Sequence, residues 1–508
     1  MNESVKIIEN GIVFTGDRQN RAGQFTILIQ NERIIDIGKP AQVLRAMYPS
    51  AEVIDATGKI LMPGFIDAHH TGESFLLRYL TMDLSMSKWS KDPSFQKAIE
   101  YLKKDASYEE LNSLYRLSFY SAIKSGVTTL SEFGIDNPEH SFRAAFDAMQ
   151  QTNIKGFIGL QNGDQIETAR ILKDKSIRYA LVIADEENLT TYNLQSSLRL
   201  ARELQWPIIL HLGQSKRACE IVKKNFNKSI AKLYNEFHIF DTPIQLLHLA
   251  YYEEDDLELV EKSGVPIVLS PSAILQKETD LPPFEEFNRH GIPIALGTDW
   301  GITQPLENIQ TYCSILKMIG LTRKKPFDLL AMHTKLGAQA LGIENDVGSI
   351  EVGKKADIAF LNLADFRMNA ILVDESMQNV LDCILHEGAS HHVSEVMIHG
   401  EFYLREGHLL TYSEDDLSRE AKDILSKLQS LGGSKPTAAI PTTNIFQLNP
   451  QQNEEKKYSE GEESFEEGFK ILRKGTIPQT PREKIEQGKE IRNELSENVR
   501  KIFGEDDL

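Results

Sequence analysis

Between residues 61 and 343 the chain repeats one pattern, a short apolar run followed by a longer stretch whose apolar residues recur at helical spacing. Eight such runs are present: FIDA at 65–68, VTTLSEFG at 127–134, IKGFIGLQNG at 154–163, IRYALVIADE at 177–186, PIILHLGQ at 207–214, IQLLHLAY at 244–251, PIVLSPSA at 266–273 and PIALGTDW at 293–300. Near-continuous apolar runs of this length suit strands buried on both faces, and strands alternating with helices build a parallel sheet. Eight units close into a (β/α)8 TIM barrel. A doubly wound open sheet is the alternative, but no G-x-G-x-x-G loop follows the early runs.

Four of these runs end in a residue able to bind a metal or move a proton: His69, His211, His248 and Asp299. In a barrel, strand ends that are far apart in sequence meet at one mouth. A single histidine at a strand end is more often a hydrogen-bonded structural residue than a ligand; four together carry more weight. Three imidazoles and a carboxylate are the ligand set expected for Zn²⁺ or Fe²⁺ with a position left for water. Asp299 could take a proton from that water, and His248 could bind the metal or hydrogen-bond a developing oxyanion. Strict alternation along the first strand puts Asp67, His69 and Thr71 on one face, with Ala68 and His70 on the other.

The motifs MPGFIDAH at 62–69, SGVTTLSEFG at 125–134, LHLGQ at 210–214, LLHLA at 246–250 and LGTDW at 296–300 resemble the amidohydrolase superfamily. The nearest branch holds the cytosine, guanine and adenosine-type deaminases and the triazine chlorohydrolases. The run LLAMHTKLGAQALGIENDVGSIEVGKKADIAFLNL at 329–363 carries that branch's GA-x-x-LG…GS-x-x-x-GK-x-AD pattern nearly intact. The resemblance covers about residues 5–410. It implies hydrolysis at a carbon–nitrogen or carbon–halide centre through a metal-activated water, a small-molecule substrate and a homodimer.

Three departures from the family pattern bear on chemistry. The first strand of the family ends in H-x-H, and here Thr71 stands in the place of the second ligand; a threonine hydroxyl is a poor Zn²⁺ ligand at neutral pH. On alternation His70 points away, although a bulge could rotate it inward. The proton-shuttling glutamate of the family's H-x-x-E is here Gln214, whose amide makes hydrogen bonds but carries no proton, a function worth about 10²–10⁴ in rate. After the fourth run the substrate-contacting PHAP of related deaminases is replaced by ADEENLT, so Asp185 is a candidate for the substrate rim with Glu186 and Glu187 beside it. Trp300 follows Asp299 directly and could narrow the pocket or stack on a planar ligand.

Residues 1–60 and 344–412 read as short strands too few to form separate cores, and they are expected to combine into one small β-sandwich-like domain flanking the barrel of residues 61–343. Residues 413–508 form an acidic tail: a helix over SEDDLSREAKDILSKLQSL, then a polar Glu- and Pro-rich stretch expected to be disordered, then a terminal helix. The tail is a candidate for docking a protein partner.

The net charge of −18 gives no basic groove for nucleic acid. Three well-separated cysteines make neither a disulfide framework nor a C-x-x-C metal site. No apolar run approaches the roughly 18 residues of a membrane span, and no signal-like segment opens the chain, so a cytoplasmic protein is expected. Two functions remain: an atypical metal-dependent hydrolase, or a catalytically lapsed amidohydrolase barrel serving as a binding or scaffold protein.

Overall fold

The computed structural model describes residues 4–431 apart from 82–83, 90, 134–139, 162, 278, 301–303, 323, 363–376 and 388–389. Its centre is an eight-stranded parallel sheet in strict chain order: Phe65–His70, Val127–Glu132, Lys155–Leu160, Ile177–Ile183, Ile208–Leu212, Ile244–His248, Ile267–Leu269 and Ile294–Leu296. A parallel bridge between His70 and Asp299 brings the last strand back to the first. The amides of Thr298 and Asp299 both donate to the His69 carbonyl at 2.8 Å. The near-closed ring is the barrel that the eight runs imply.

Apolar side chains fill the barrel interior, among them Ile66, Ala68, Phe157, Ile209, Leu247 and Val268. The opposite faces of the strands (Phe65, Leu130, Ile158, Leu210, Leu246) join the larger core beneath the surrounding helices. This two-sided burial is why the runs are apolar throughout rather than alternating. The helix Tyr108–Lys124 begins in a capping box in which Ser107 and Glu110 satisfy each other's end groups.

Two further sheets come from the flanks. Lys59–Pro63 pairs antiparallel with Ile358–Asn362, so the seven-stranded sheet is built from both ends of the sequence. It faces a four-stranded sheet ordered Arg33–Ile37, Ile27–Gln30, Val5–Glu9, Glu52–Asp55. Ile8, Ile29, Leu61, Ile358 and Phe360 are buried in one apolar cluster between them.

The helix expected at the start of the tail is present as Glu414–Leu431 and lies on the helix Tyr108–Lys124. Leu417, Ile424 and Leu428 are buried there, and ion pairs of 2.7 Å join Arg116 to Glu420 and Lys124 to Glu414. The disorder and the terminal helix expected after it lie outside the described residues.

Candidate metal centre

The first strand departs from alternation at the point that matters. Asp67 pairs with Leu130 and His70 with Glu132, so three steps of one strand span two of its neighbour. This is a β-bulge, and it turns successive side chains to one side. Ile66 and Ala68 both lie in the barrel interior. His69 also turns inward, its ring 5.9 Å from that of His248. The expectation that Asp67 and His69 share a face is therefore corrected. The bulge does not bring His70 in: its Nδ1 is 2.8 Å from Asp67 Oδ2 and its Nε2 2.8 Å from the Ser118 hydroxyl, on the helix outside the barrel. Burial works against a charged His70, but the Asp67 carboxylate outweighs it and holds the pKa above the ordinary value.

His69, His211 and His248 each offer a ring nitrogen, and these atoms all lie within 4.8 Å of one another. Phe133 fixes two of the rings, stacking on His211 at 5.3 Å and meeting His69 edge-on at 5.3 Å. The backbone is bent to aim the ends of the strands: His248, Leu249 and Asp299 have φ of 80°, 63° and 49°, a region L-residues enter at a cost. Burial pushes all three imidazoles down, His211 to about 3, so they are neutral at pH 7. Neutral is the state a ligand must have. Nε2 of His248 is buried without a hydrogen-bond partner, and the ring nitrogens of His211 are buried with no hydrogen bond of good geometry, the Gln214 side chain lying beside them. Such groups are costly unless something else satisfies them, and a divalent cation fits this donor set.

Asp299 closes the site with Oδ1 3.7 Å from His69 Nε2. Its position depends on Gly297, where a Cβ would fall 2.5 Å from the His69 nitrogen and 2.6 Å from its Cβ. The other oxygen, Oδ2, lies 2.5 Å from Nζ of Lys277. Lys277 is the site residue that sequence reasoning missed; it ends the short helix Pro271–Lys277 and is buried. Burial would raise the Asp299 pKa, but the Lys277 ammonium and the nearby imidazoles hold it well below the carboxylate range.

Gln214 is half-buried just past His211, with its side chain beside the His211 ring. The backbone amides of Gln214 and Gly213 donate to the two oxygens of Glu186, at 3.1 and 2.7 Å. Glu186 is the carboxylate of the ADEENLT segment that turns inward, and burial pushes its pKa up to about 7. Asp185 is exposed and caps the following turn, accepting from the Asn188 amide at 3.3 Å. Thr71 is buried. Trp300 packs on Trp89 and Phe95, with ring centroids 5.3 and 5.6 Å apart.

Known proteins resemble this chain along most of its length. A 5-methylthioadenosine/S-adenosylhomocysteine deaminase of Caldicellulosiruptor saccharolyticus is 26% identical over 435 residues, covering 82% of this chain and 97% of its own length. A 5'-deoxyadenosine deaminase of Methanobrevibacter smithii is 24% identical, covering 80% and 94%. Among solved structures, a zinc-bound adenosine deaminase of Xanthomonas campestris superposes with a TM-score of 0.73 at 19% identity, covering 84% of this chain and 98% of its own. The zinc complex of the atrazine chlorohydrolase TrzN of Arthrobacter aurescens gives 0.71 at 17% identity, covering 83% and 100%; these two likenesses speak for the fold. Residues 60–402 match the amidohydrolase family, and with the barrel and the converging strand ends already in place the chain belongs to that family.

Proposed function

We propose that this chain is a metal-dependent hydrolase that cleaves a carbon–nitrogen bond in a small planar or cyclic nitrogen compound, with His69, His211, His248 and Asp299 holding the metal. The observation that carries it is the cluster of three buried, neutral imidazoles whose ring nitrogens all lie within 4.8 Å of one another, with Nε2 of His248 buried and unpartnered. A zinc or iron(II) ion bound there supplies a Lewis acid beside which water ionises near neutral pH. Asp299 is the carboxylate proposed to accept the water's proton, and the Lys277 ammonium, by holding its pKa low, makes it a weak base for that step. His248 offers the third imidazole that Thr71 does not supply. The balance of the reaction is water added at carbon and an amine or amide nitrogen released with one proton.

The relatives are deaminases of adenosine-type compounds, so aminopurine nucleosides head the candidate substrates. Gln214 counts against the poorest leaving group, because ammonia departs only after a proton reaches it. A cyclic amide or a better leaving group asks less of position 214.

The Lys277–Asp299 pair supports a second reading, a lapsed barrel retained for binding, since an ammonium occupies the carboxylate a catalytic centre would use. The deciding experiment is metal content of protein purified without chelator, beside His211→Ala and Asp299→Ala. About one equivalent of zinc or iron, lost in the variants, supports the hydrolase; product release is then sought among 5-methylthioadenosine, S-adenosylhomocysteine, adenosine and cyclic amides. No metal even after reconstitution overturns it in favour of the scaffold.

A further inference from the structure

Lys277 lies in no motif of the family pattern quoted above, yet it reaches the centre of the site. Among the described residues its ammonium meets Asp299 Oδ2 at 2.5 Å and the face of Trp89 with its centroid at 6.0 Å. Trp89 is held against Trp300 at 5.3 Å, so the lysine is confined between an aromatic wall and the carboxylate. Both partners of the ion pair are buried, their side chains 9% and 7% exposed, and water screens the pair little. One carboxylate is therefore shared between an ammonium already in place and any cation that enters the three-histidine cluster.

We infer that Lys277 is a built-in competitor for the metal: it occupies Asp299 and sets how tightly, and whether, a divalent ion is held by His69, His211 and His248. The inference rests on the hydrolase reading, because it concerns the same four ligands. The sign of its charge gives the inference direction. A divalent ion at the imidazoles would face a like charge in a low-dielectric setting, which costs affinity unless the lysine withdraws. The loss of a second first-strand histidine at Thr71 and the gain of a lysine at Asp299 then act in the same direction, toward a site that takes its metal weakly and exchangeably. A lysine that merely positioned Asp299 for the metal would have the opposite signature, since removing it would weaken binding.

The test is a zinc titration of the purified full chain by calorimetry, with metal content after dialysis as the second readout, for the natural protein, Lys277→Met and Lys277→Gln. Lys277→Met leaves Asp299 buried without its partner and could lower stability before zinc is added. Lys277→Gln keeps a hydrogen-bond donor to the carboxylate and guards against that outcome. The expected result is zinc affinity at least about tenfold tighter in Lys277→Met, a smaller gain in Lys277→Gln, and no gain when Lys277→Met is combined with Asp299→Asn. Unchanged or weaker affinity in both single variants overturns the inference, and it leaves the hydrolase reading standing if the natural protein binds one equivalent that His211→Ala loses. Absence of binding in every variant overturns both, since a site without its competitor would still refuse the metal.

Discussion

Position 214 is where this chain parts most clearly from a proton-moving active site. Gln214 follows His211 by three residues, and the backbone amides of Gly213 and Gln214 each donate to Glu186, so the segment is fixed while the Gln214 side chain cannot titrate. Replacing Gln214 with Glu restores a proton carrier on an already positioned loop. The expected outcome is a gain in kcat of about 10²–10⁴ on substrates that release ammonia, with little change on those with better leaving groups. Steady-state rates on paired substrates of the two kinds check this; an equal change on both would mean that proton delivery is not what position 214 limits.

A second residue-scale prediction concerns Glu73, buried just past the first strand, whose pKa is pushed up to about 8 by burial and by the neighbouring Glu132 carboxylate. Unfolded, the same group ionises near the ordinary glutamate value of 4.5. Between these values the folded chain holds a proton that the unfolded chain has lost, so stability falls as pH rises through about 4.5 to 8, and above that range the penalty is complete. Glu73→Gln keeps the shape and stays neutral. Its melting temperature should match the natural protein at pH 5 and exceed it by about 2–5 °C at pH 8.5. A variant that melts lower at pH 8.5 would show that the ionised carboxylate is tolerated.

At the scale of elements, the site depends on how the eighth strand seats against the first. Gly297 lets the chain pass so close to His69 that its own Cβ would overlap backbone atoms, which cannot rotate away as a side-chain tip could. Gly297→Ala should push the strand ends apart, move His69 and Asp299 together, and cost about 1–3 kcal/mol of stability. Metal content should fall much further than the melting temperature; a variant that melts lower but holds its metal normally would mean the strand ends adjust independently of the ligands. The same contact shows what the sequence could and could not disclose. Strand positions, their order and the polar ends at His69, His211, His248 and Asp299 were legible because apolar runs buried on both faces have a plain signature and barrel topology does the rest. The bulge at Asp67–His70 was not, because alternation is the default and nothing in DAHH announces the extra residue. Lys277 was invisible for another reason: its reach into the site is set by a short helix after the seventh strand, not by spacing from any motif. Among three adjacent carboxylates, the turn at Glu186–Asn188 decides that Glu186 goes inward while Asp185 stays outside.

At the scale of the whole chain, what needs an account is the length beyond the family. The Caldicellulosiruptor deaminase aligns over 97% of itself within 82% of this chain, and the family match ends at residue 402. No helix among the described residues is long and apolar enough to cross a membrane. The first stretch of the extra length is structural. Leu417, Ile424 and Leu428 recur at helical spacing and are buried, and their helix packs on the barrel helix Tyr108–Lys124. Burying a side chain of this kind contributes about 1.5–3 kcal/mol, partly offset by the entropy of ordering the segment, so the helix should stabilise the barrel by about 2–5 kcal/mol net. The Arg116–Glu420 pair, mostly buried, adds to this more than the exposed Lys124–Glu414 pair does. A chain ending at residue 412 should therefore melt several degrees lower than one ending at 431 and expose apolar surface to a hydrophobic dye. Scanning calorimetry of the two lengths checks this. Equal melting of both would make the helix a passenger.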